Sequence, residues 1–169
     1  CHRQDAGLRY DLRVDLPPHP DVAHGALPTS VDVAGAVYPP CWARLHDAAV
    51  RHALPVIERS RLLTCEGAQI RVDMMGCVTS LPGACDQAFH PDGPASGLIN
   101  CFVPLVDMDV RNGSTELKPT THAAYDERAL AHAARDYGEC ADMRKGSLLL
   151  FDFRTHHRGR AHLQSDAPR

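Results

Sequence analysis

His90-Pro91-Asp92 sets an imidazole and a carboxylate two residues apart, and His156-His157 offers a second imidazole far down the chain, at the end of an apolar run. In an extended segment, residues i and i+2 point to the same side, so His90 and Asp92 can face one ion together. A histidine from a distant strand then completes a set of two imidazoles and one carboxylate. That set is the facial triad of non-haem iron(II) oxygenases, which leaves coordination positions open for a cosubstrate and dioxygen. Taken alone, a His-x-Asp pair is more often polar surface decoration than a metal site. The elements that carry these residues have to decide.

Gly146–His157 reads as the last strong strand, and its alternation separates the two adjacent histidines. Counting back from His157 by twos gives Thr155, Phe153, Phe151 and Leu149, a core-like face. Counting back from His156 gives Arg154, Asp152, Leu150 and Leu148, which suits an outer face. His157 is therefore the metal candidate and His156 its outward neighbour; a bulge between residues 153 and 157 would exchange them. Asp152 and Arg154 are expected to pair with neighbours and hold the strand.

Upstream, residues 1–40 are punctuated by Pro17, Pro18, Pro20, Pro28, Pro39 and Pro40, a density that suits a wrapping segment rather than central strands. Tyr10–Leu16 alternates enough for a short edge strand. Trp42, Leu45, Ala49 and Ala53 recur at helical spacing, and Pro55 ends or kinks that helix, with a short turn over Val56–Leu63. Ala68–Ser80 reads as one long strand followed by a turn at Pro82-Gly83, and Leu98–Val106 as another. Asn112-Gly113 is the dipeptide favoured by a two-residue hairpin turn, with Thr115–Leu117 starting the returning strand. Residues 121–137 look helical, with Tyr125 and Leu130 on the packed face, His122 structural, and Gly138 at the C-cap. Early helix and later strands point to a mostly β protein with flanking helices (α+β), arranged as a double-stranded jelly-roll or cupin-like barrel. A single domain is expected over 1–169, with 1–64 as an outer segment and 65–169 as the barrel.

Composition narrows the partners. The 169 residues are 44% hydrophobic and 23% charged, with a formal net charge of −3. Nothing is basic enough to follow a phosphate backbone, which excludes nucleic acid, and no apolar run approaches membrane-spanning length. Seven cysteines, with no Cys-x-x-Cys, suggest neither a disulfide framework nor a zinc ribbon. They suit a reducing, intracellular setting such as the cytoplasm. The chain opens on Cys1 rather than Met, so the natural start and any targeting signal are expected to be missing.

Several motifs stand in register. They are Gln87-x-x-His90-x-Asp92, Asn100 to Asp107, Asn112-Gly113-Ser114-Thr115 leading to Pro119-Thr120-Thr121-His122, Phe151-Asp152-x-Arg154-x-x-His157-Arg158-Gly159, and Ser165-Asp166-x-Pro168-Arg169. In order and rough spacing, over about residues 65–169, this series resembles the phytanoyl-CoA dioxygenase family of iron(II)/2-oxoglutarate oxygenases. The resemblance implies iron on His90, Asp92 and His157, and Arg169 as partner of the far carboxylate of 2-oxoglutarate. It implies O2 as oxidant, hydroxylation of a small organic substrate, and succinate and CO2 as co-products. Halogenating relatives lack the carboxylate ligand, and Asp92 is present. Gln87 and Asn100 are candidates for bonding the cosubstrate or supporting the ligands, or for satisfying local backbone. Two departures accompany the match: the step from His157 to Arg169 is about one residue long, and the chain stops where a closing strand is expected. Arg169 is therefore expected to be a mobile terminal residue. The alternatives are a non-catalytic barrel that keeps the ligands, and a cupin-type zinc or manganese enzyme that uses no 2-oxoglutarate.

Overall fold

A computed structural model describes residues 8–15, 44–45, 47–60, 74–123, 137–140, 142–163 and 168–169. The chain divides into two units, one of residues 12–77 and one of residues 1–11 with 78–169. Strands dominate the described residues: β1 (Arg9–Asp15), β2 (Met74–Ser80), β3 (Ile99–Phe102), β4 (Thr115–Leu117), β5 (Glu139–Cys140), β6 (Leu149–Asp152) and β7 (His157–Gly159). They form three small sheets, ordered β1-β2, β3-β6 and β5-β4-β7. Among the described residues these sheets do not close into a barrel, and no helix is long and apolar enough to cross a membrane.

In the unit of residues 12–77, a π-helical turn at Ala49–Ala53 leads directly into an α-helix, Leu54–Ser60. Pro55 has no N–H to offer the carbonyl four residues back, and the wider turn before it is where the helix absorbs that loss. The helix thus runs on through the proline rather than ending at it. Ala53 and Ile57, four apart, are buried, whereas Leu45 is 39% exposed and does not extend the apolar face as its spacing suggested. Trp42 and residues 61–73 lie outside the described residues.

In the other unit, β3 and β6 pair antiparallel, with Asn100 opposite Phe151 and Phe102 opposite Leu149. The strand expected over Leu98–Val106 stops at Phe102, shortly before Pro104, which has no N–H for the ladder. β4 lies between β5 and β7, with Leu117 opposite His157 and Glu116 opposite Arg158. The Asn112-Gly113 hairpin does not form. β4 returns beside β7 rather than β3, and the turn is built on Asp109, whose Oδ1 accepts the N–H groups of Arg111 (2.8 Å) and Asn112 (3.2 Å). Only Gly113 of the dipeptide takes positive φ, at 82°. A Cβ there would also lie 2.5 Å from the carbonyl oxygens of Arg160 and Ala161, so glycine is required twice over.

The strand expected over Gly146–His157 is two strands. After Asp152 the chain turns: the Asp152 carbonyl accepts from Thr155 N (2.8 Å), its Oδ1 accepts from Arg154 N (2.9 Å), and the Arg154 guanidinium pairs with the same carboxylate at 2.7 Å. An aspartate that bonds the backbone two residues on is a turn former. The break inserts four residues, an even number, so the burial phase survives it. Phe151, Thr155 and His157 are buried while Asp152, Arg154 and His156 are half-buried. Of the helix expected over 121–137, Thr121–Ala123 forms one 3-10 turn, and residues 124–136 lie outside the described residues.

The face of β4 and β7 opposite Leu117 and His157 is held by charge. Glu116, 1% exposed, accepts from Arg158 Nε (2.6 Å), Arg160 Nη1 (3.1 Å) and Gly138 N (2.6 Å). Burial pushes the Glu116 carboxyl up, but these three donors outweigh it and hold it below its ordinary 4.5. The stabilisation is therefore present above pH 4.5 and is lost as pH falls through the lowered folded value. Glu116→Gln removes the buried charge that Arg158 and Arg160 share and leaves the more exposed Asp86 beside them, so urea denaturation at pH 7 should show a loss of about 2 kcal/mol. The gap to the parent protein should close as the pH is taken below 4.5; an equal gap at pH 3 and pH 7 would rule out the carboxylate as its source.

Candidate metal centre

His90 and His157 are joined through their backbones. His90 N donates to His157 O (3.0 Å) and His157 N to His90 O (2.9 Å), so the two residues form a hydrogen-bonded antiparallel pair. Directly opposed side chains leave a sheet on the same face, and the two rings lie with centroids 4.7 Å apart. The ladder then continues irregularly. Gln87 N donates to Gly159 O (3.0 Å), and Gln87 Oε1 accepts from Gly159 N (2.7 Å), so a side-chain oxygen stands where a strand carbonyl would. Gln87 thus completes the local backbone.

Each imidazole is also locked in tautomer. His90 Nδ1 lies 2.9 Å from the Ala88 carbonyl and His157 Nδ1 lies 3.0 Å from the Thr155 carbonyl. A carbonyl can only accept, so each Nδ1 carries the proton and donates it. Each Nε2 is left as a bare lone pair, the state a metal-binding histidine needs. Burial pushes the His157 imidazole below its ordinary value, with His90 adding to the effect; the Thr155 carbonyl and Asp92 oppose it without reversing it. His157 is only 4% exposed, and its ring packs against Phe151 (4.9 Å between centroids) and Phe102 (5.9 Å), which meet each other edge to face. Aromatic side chains of the β3–β6 sheet thus form a dry wall behind the imidazole.

Asp92 comes in from the loop after His90, its N–H donating to Phe153 O at 3.2 Å. Asp92 Oδ2 lies 3.7 Å from His157 Nε2, too far for a hydrogen bond. One potential donor atom from each of His90, Asp92 and His157 lies within 4.8 Å of the others, and the three could hold one metal ion. Two neutral imidazoles and a carboxylate with open positions suit a non-haem iron(II) ion. Asn100 Nδ2 donates to Asp92 Oδ2 at 2.7 Å, so this residue of β3 supports the carboxylate. His156 is half-buried and off the cluster; its carbonyl accepts from Lys118 N (2.8 Å) and its N–H donates to Thr121 Oγ1 (2.9 Å). Burial, then Lys118, pushes its imidazole below the ordinary value.

The Arg169 backbone is paired rather than loose as expected. It forms a reciprocal pair with Ser80, N to O at 3.0 Å and O to N at 2.9 Å, in line with β2. Its Nη2 reaches Ser80 Oγ (3.2 Å) and the Arg160 carbonyl (3.3 Å), over Gly159. The carbonyls of Ala88 and Thr155, the Phe102 ring, Ser80 and Arg9 all shape this region and were not anticipated from sequence. The two carbonyls each lie two residues before the histidine they orient, and a backbone acceptor leaves no mark on residue identity.

A family model described as phytanoyl-CoA dioxygenase (PhyH) matches residues 47–169. No curated protein matches the chain.

The cluster predicts a clear hierarchy in calorimetric titration with Mn(II) or Co(II). His157→Ala should abolish binding, His156→Ala should leave it intact, and Asn100→Ala should weaken it about tenfold by freeing the Asp92 carboxylate. Retained binding in His157→Ala, with loss in His156→Ala, would reverse the assignment.

Proposed function

Because the chain belongs to the phytanoyl-CoA dioxygenase family, we propose that it is an iron(II)- and 2-oxoglutarate-dependent oxygenase that hydroxylates a small organic substrate. His90, Asp92 and His157 hold the iron, and Arg169 anchors the far carboxylate of the cosubstrate. The observation that carries this reading is the meeting of three donor atoms within 4.8 Å, with both imidazole Nδ1 atoms tied to carbonyls. That arrangement turns two Nε2 lone pairs and a carboxylate steadied by Asn100 toward one point, where they can bind a cation. The proposed fold is the double-stranded barrel of that family, with the described sheets as its parts.

The placement of Arg169 suits a five-carbon keto diacid. Gly159 follows His157 by two residues, so both face the same side of β7. Two residues of strand advance about 6.7 Å, a span comparable to the distance between the two ends of such a molecule. The Arg169 guanidinium lies where a Gly159 side chain would be, 3.0 Å from the position of its Cβ. A planar fork there can meet a carboxylate with two parallel hydrogen bonds. Charges also balance: an Fe²⁺ ion, the Asp92 carboxylate, a dianion and one guanidinium sum to zero, and a neutral assembly is cheaper to bury.

Bound iron would supply the activation of dioxygen, coupled to oxidative decarboxylation of the cosubstrate to succinate and CO2. The protein's part is placement and protection. The reciprocal backbone pair fixes the spacing of the imidazoles, Asn100 fixes the carboxylate, and Phe102 with Phe151 keeps water from the His157 side. Asp92 occupies the position that a halide would need, which directs the chemistry to hydroxylation.

Anaerobic addition of 2-oxoglutarate to the Fe(II)-loaded protein should produce the weak visible charge-transfer band of a chelated keto acid. No band, in protein shown to hold iron, would eliminate the 2-oxoglutarate reading.

A further inference from the structure

Thr121, in the Pro119-Thr120-Thr121-His122 segment, carries a hydroxyl that reaches the metal centre through a single peptide. Its N–H closes a turn on Lys118 O at 3.4 Å. Pro119 stands second in that turn and Thr120 third, with φ at 69°. A positive φ at the third position is the type II arrangement, which glycine fills without strain and a β-branched residue does not. Strain of this kind persists where the surroundings over-determine the backbone. Here they do. Thr121 Oγ1 donates to Lys118 O (2.7 Å) and accepts from His156 N (2.9 Å), while Lys118 N donates to His156 O (2.8 Å).

The N–H that Thr121 holds and the carbonyl that holds His157 belong to one peptide unit. Thr155 C=O and His156 N–H share a plane and, in a trans peptide, point in opposite directions. With the N–H fixed on Thr121 Oγ1, the plane is kept from swinging, and the carbonyl stays aimed at His157 Nδ1, 3.0 Å away. The run is continuous from the Lys118 carbonyl through the Thr121 hydroxyl and the 155–156 peptide to the imidazole. Hydrogen bonds in such a chain polarise one another, so the carbonyl accepts more strongly and Nε2 becomes the more basic. Thr121, Thr155 and His157 are all buried, so solvent does not stand in for the hydroxyl.

We propose that Thr121 is a positioning residue of the metal centre: its hydroxyl holds the 155–156 peptide so that the Thr155 carbonyl keeps the His157 ring turned with Nε2 toward the ion. This role rests on the assignment of His157 as a metal ligand. It is exerted through one peptide and two hydrogen bonds and needs no contact with the ion. A threonine that only braced the turn would change stability and leave the imidazole as it is.

The test uses the full chain, with nitrogen-15 spectra of the histidine rings in metal-free protein and calorimetric titration with Mn(II). At about pH 8, where a histidine of ordinary pKa, about 6.5, is neutral, His157 of the parent should be in the Nδ1–H form. Thr121→Val keeps the shape and loses the hydroxyl. It should give a mixture of Nδ1–H and Nε2–H forms at His157, leave His90 unchanged, and raise the Mn(II) Kd about tenfold. Thr121→Ser keeps the hydroxyl and should match the parent in both readings. Thr121→Cys, a weaker acceptor, should fall between them and serves if Thr121→Val does not fold. Parent tautomer and parent affinity in the Val or Cys variant, whatever its stability, would make Thr121 a turn brace and overturn the proposal. A Thr121→Ser protein that binds no better than Thr121→Val would overturn it as well. Both results leave the ligand assignment standing. Parent protein that binds no Mn(II), or His157→Ala that binds as the parent does, would remove that assignment and the role of Thr121 with it.

Discussion

The two backbone hydrogen bonds between His90 and His157 are the constraint on which the rest of the site depends. An antiparallel hydrogen-bonded pair fixes its two Cα atoms about 5.5 Å apart and sends both side chains to one face. Nothing about the side chains is then needed to bring the imidazoles together; rotamer and tautomer follow from the carbonyls two residues back in each segment. The strand pairing is thus the coarse positioner and the Nδ1 bonds the fine one. Asp92 needs only the short loop after His90 to complete the triangle, and Asn100 to stop it rotating away.

That pairing is itself supported from behind. β7 is held on its second edge by β4, and the alternation that turns Leu117 and His157 to the site turns Glu116 and Arg158 to the opposite face. The buried carboxylate gathers Arg158, Arg160 and the Gly138 N–H, linking β4 and β7 to the start of β5. Buried polar residues outnumber buried apolar ones among the described residues, so hydrogen-bonded networks such as that of Glu116 matter here beside apolar packing. Such networks are directional. They specify register, and register is what keeps a histidine on the metal face rather than one residue off it.

The cluster was legible because its signal is local. A His-x-Asp spacing and a histidine after an apolar strand are visible in residue identities, and motifs in register carried the family. Alternation singled out His157 even though the strand it was counted along is broken at Asp152–Thr155, because a four-residue insertion preserves parity. The Asn112-Gly113 turn misled for the complementary reason: Asp109 captures the backbone first, and partner choice among strands is a long-range matter that a dipeptide does not encode. Leu45 failed likewise, since helical spacing names a face without saying whether anything covers it. Arg9 and Ser80 were illegible because they meet each other and Arg169 across 71 and 89 residues of chain, and contacts that distant leave no local pattern.

Once a metal is bound, the site and Arg169 would each carry an unmatched positive charge, and that couples them. A divalent ion on two neutral imidazoles and one carboxylate keeps a net positive charge, and Arg169 lies about one strand repeat away. Two unit positive charges about 7 Å apart repel by about 2 kcal/mol at an effective dielectric constant of about 20. Metal binding alone would therefore work against the buried guanidinium, whereas the dianion of the proposed cosubstrate, held at both sites, would neutralise both. Because binding linkage is reciprocal, whatever the dianion gains from the metal the metal gains from the dianion. On the proposed chemistry this coupling has a use. Iron on His90, Asp92 and His157 would be held most firmly with the dianion in place, so these residues and Arg169 would complete the centre together.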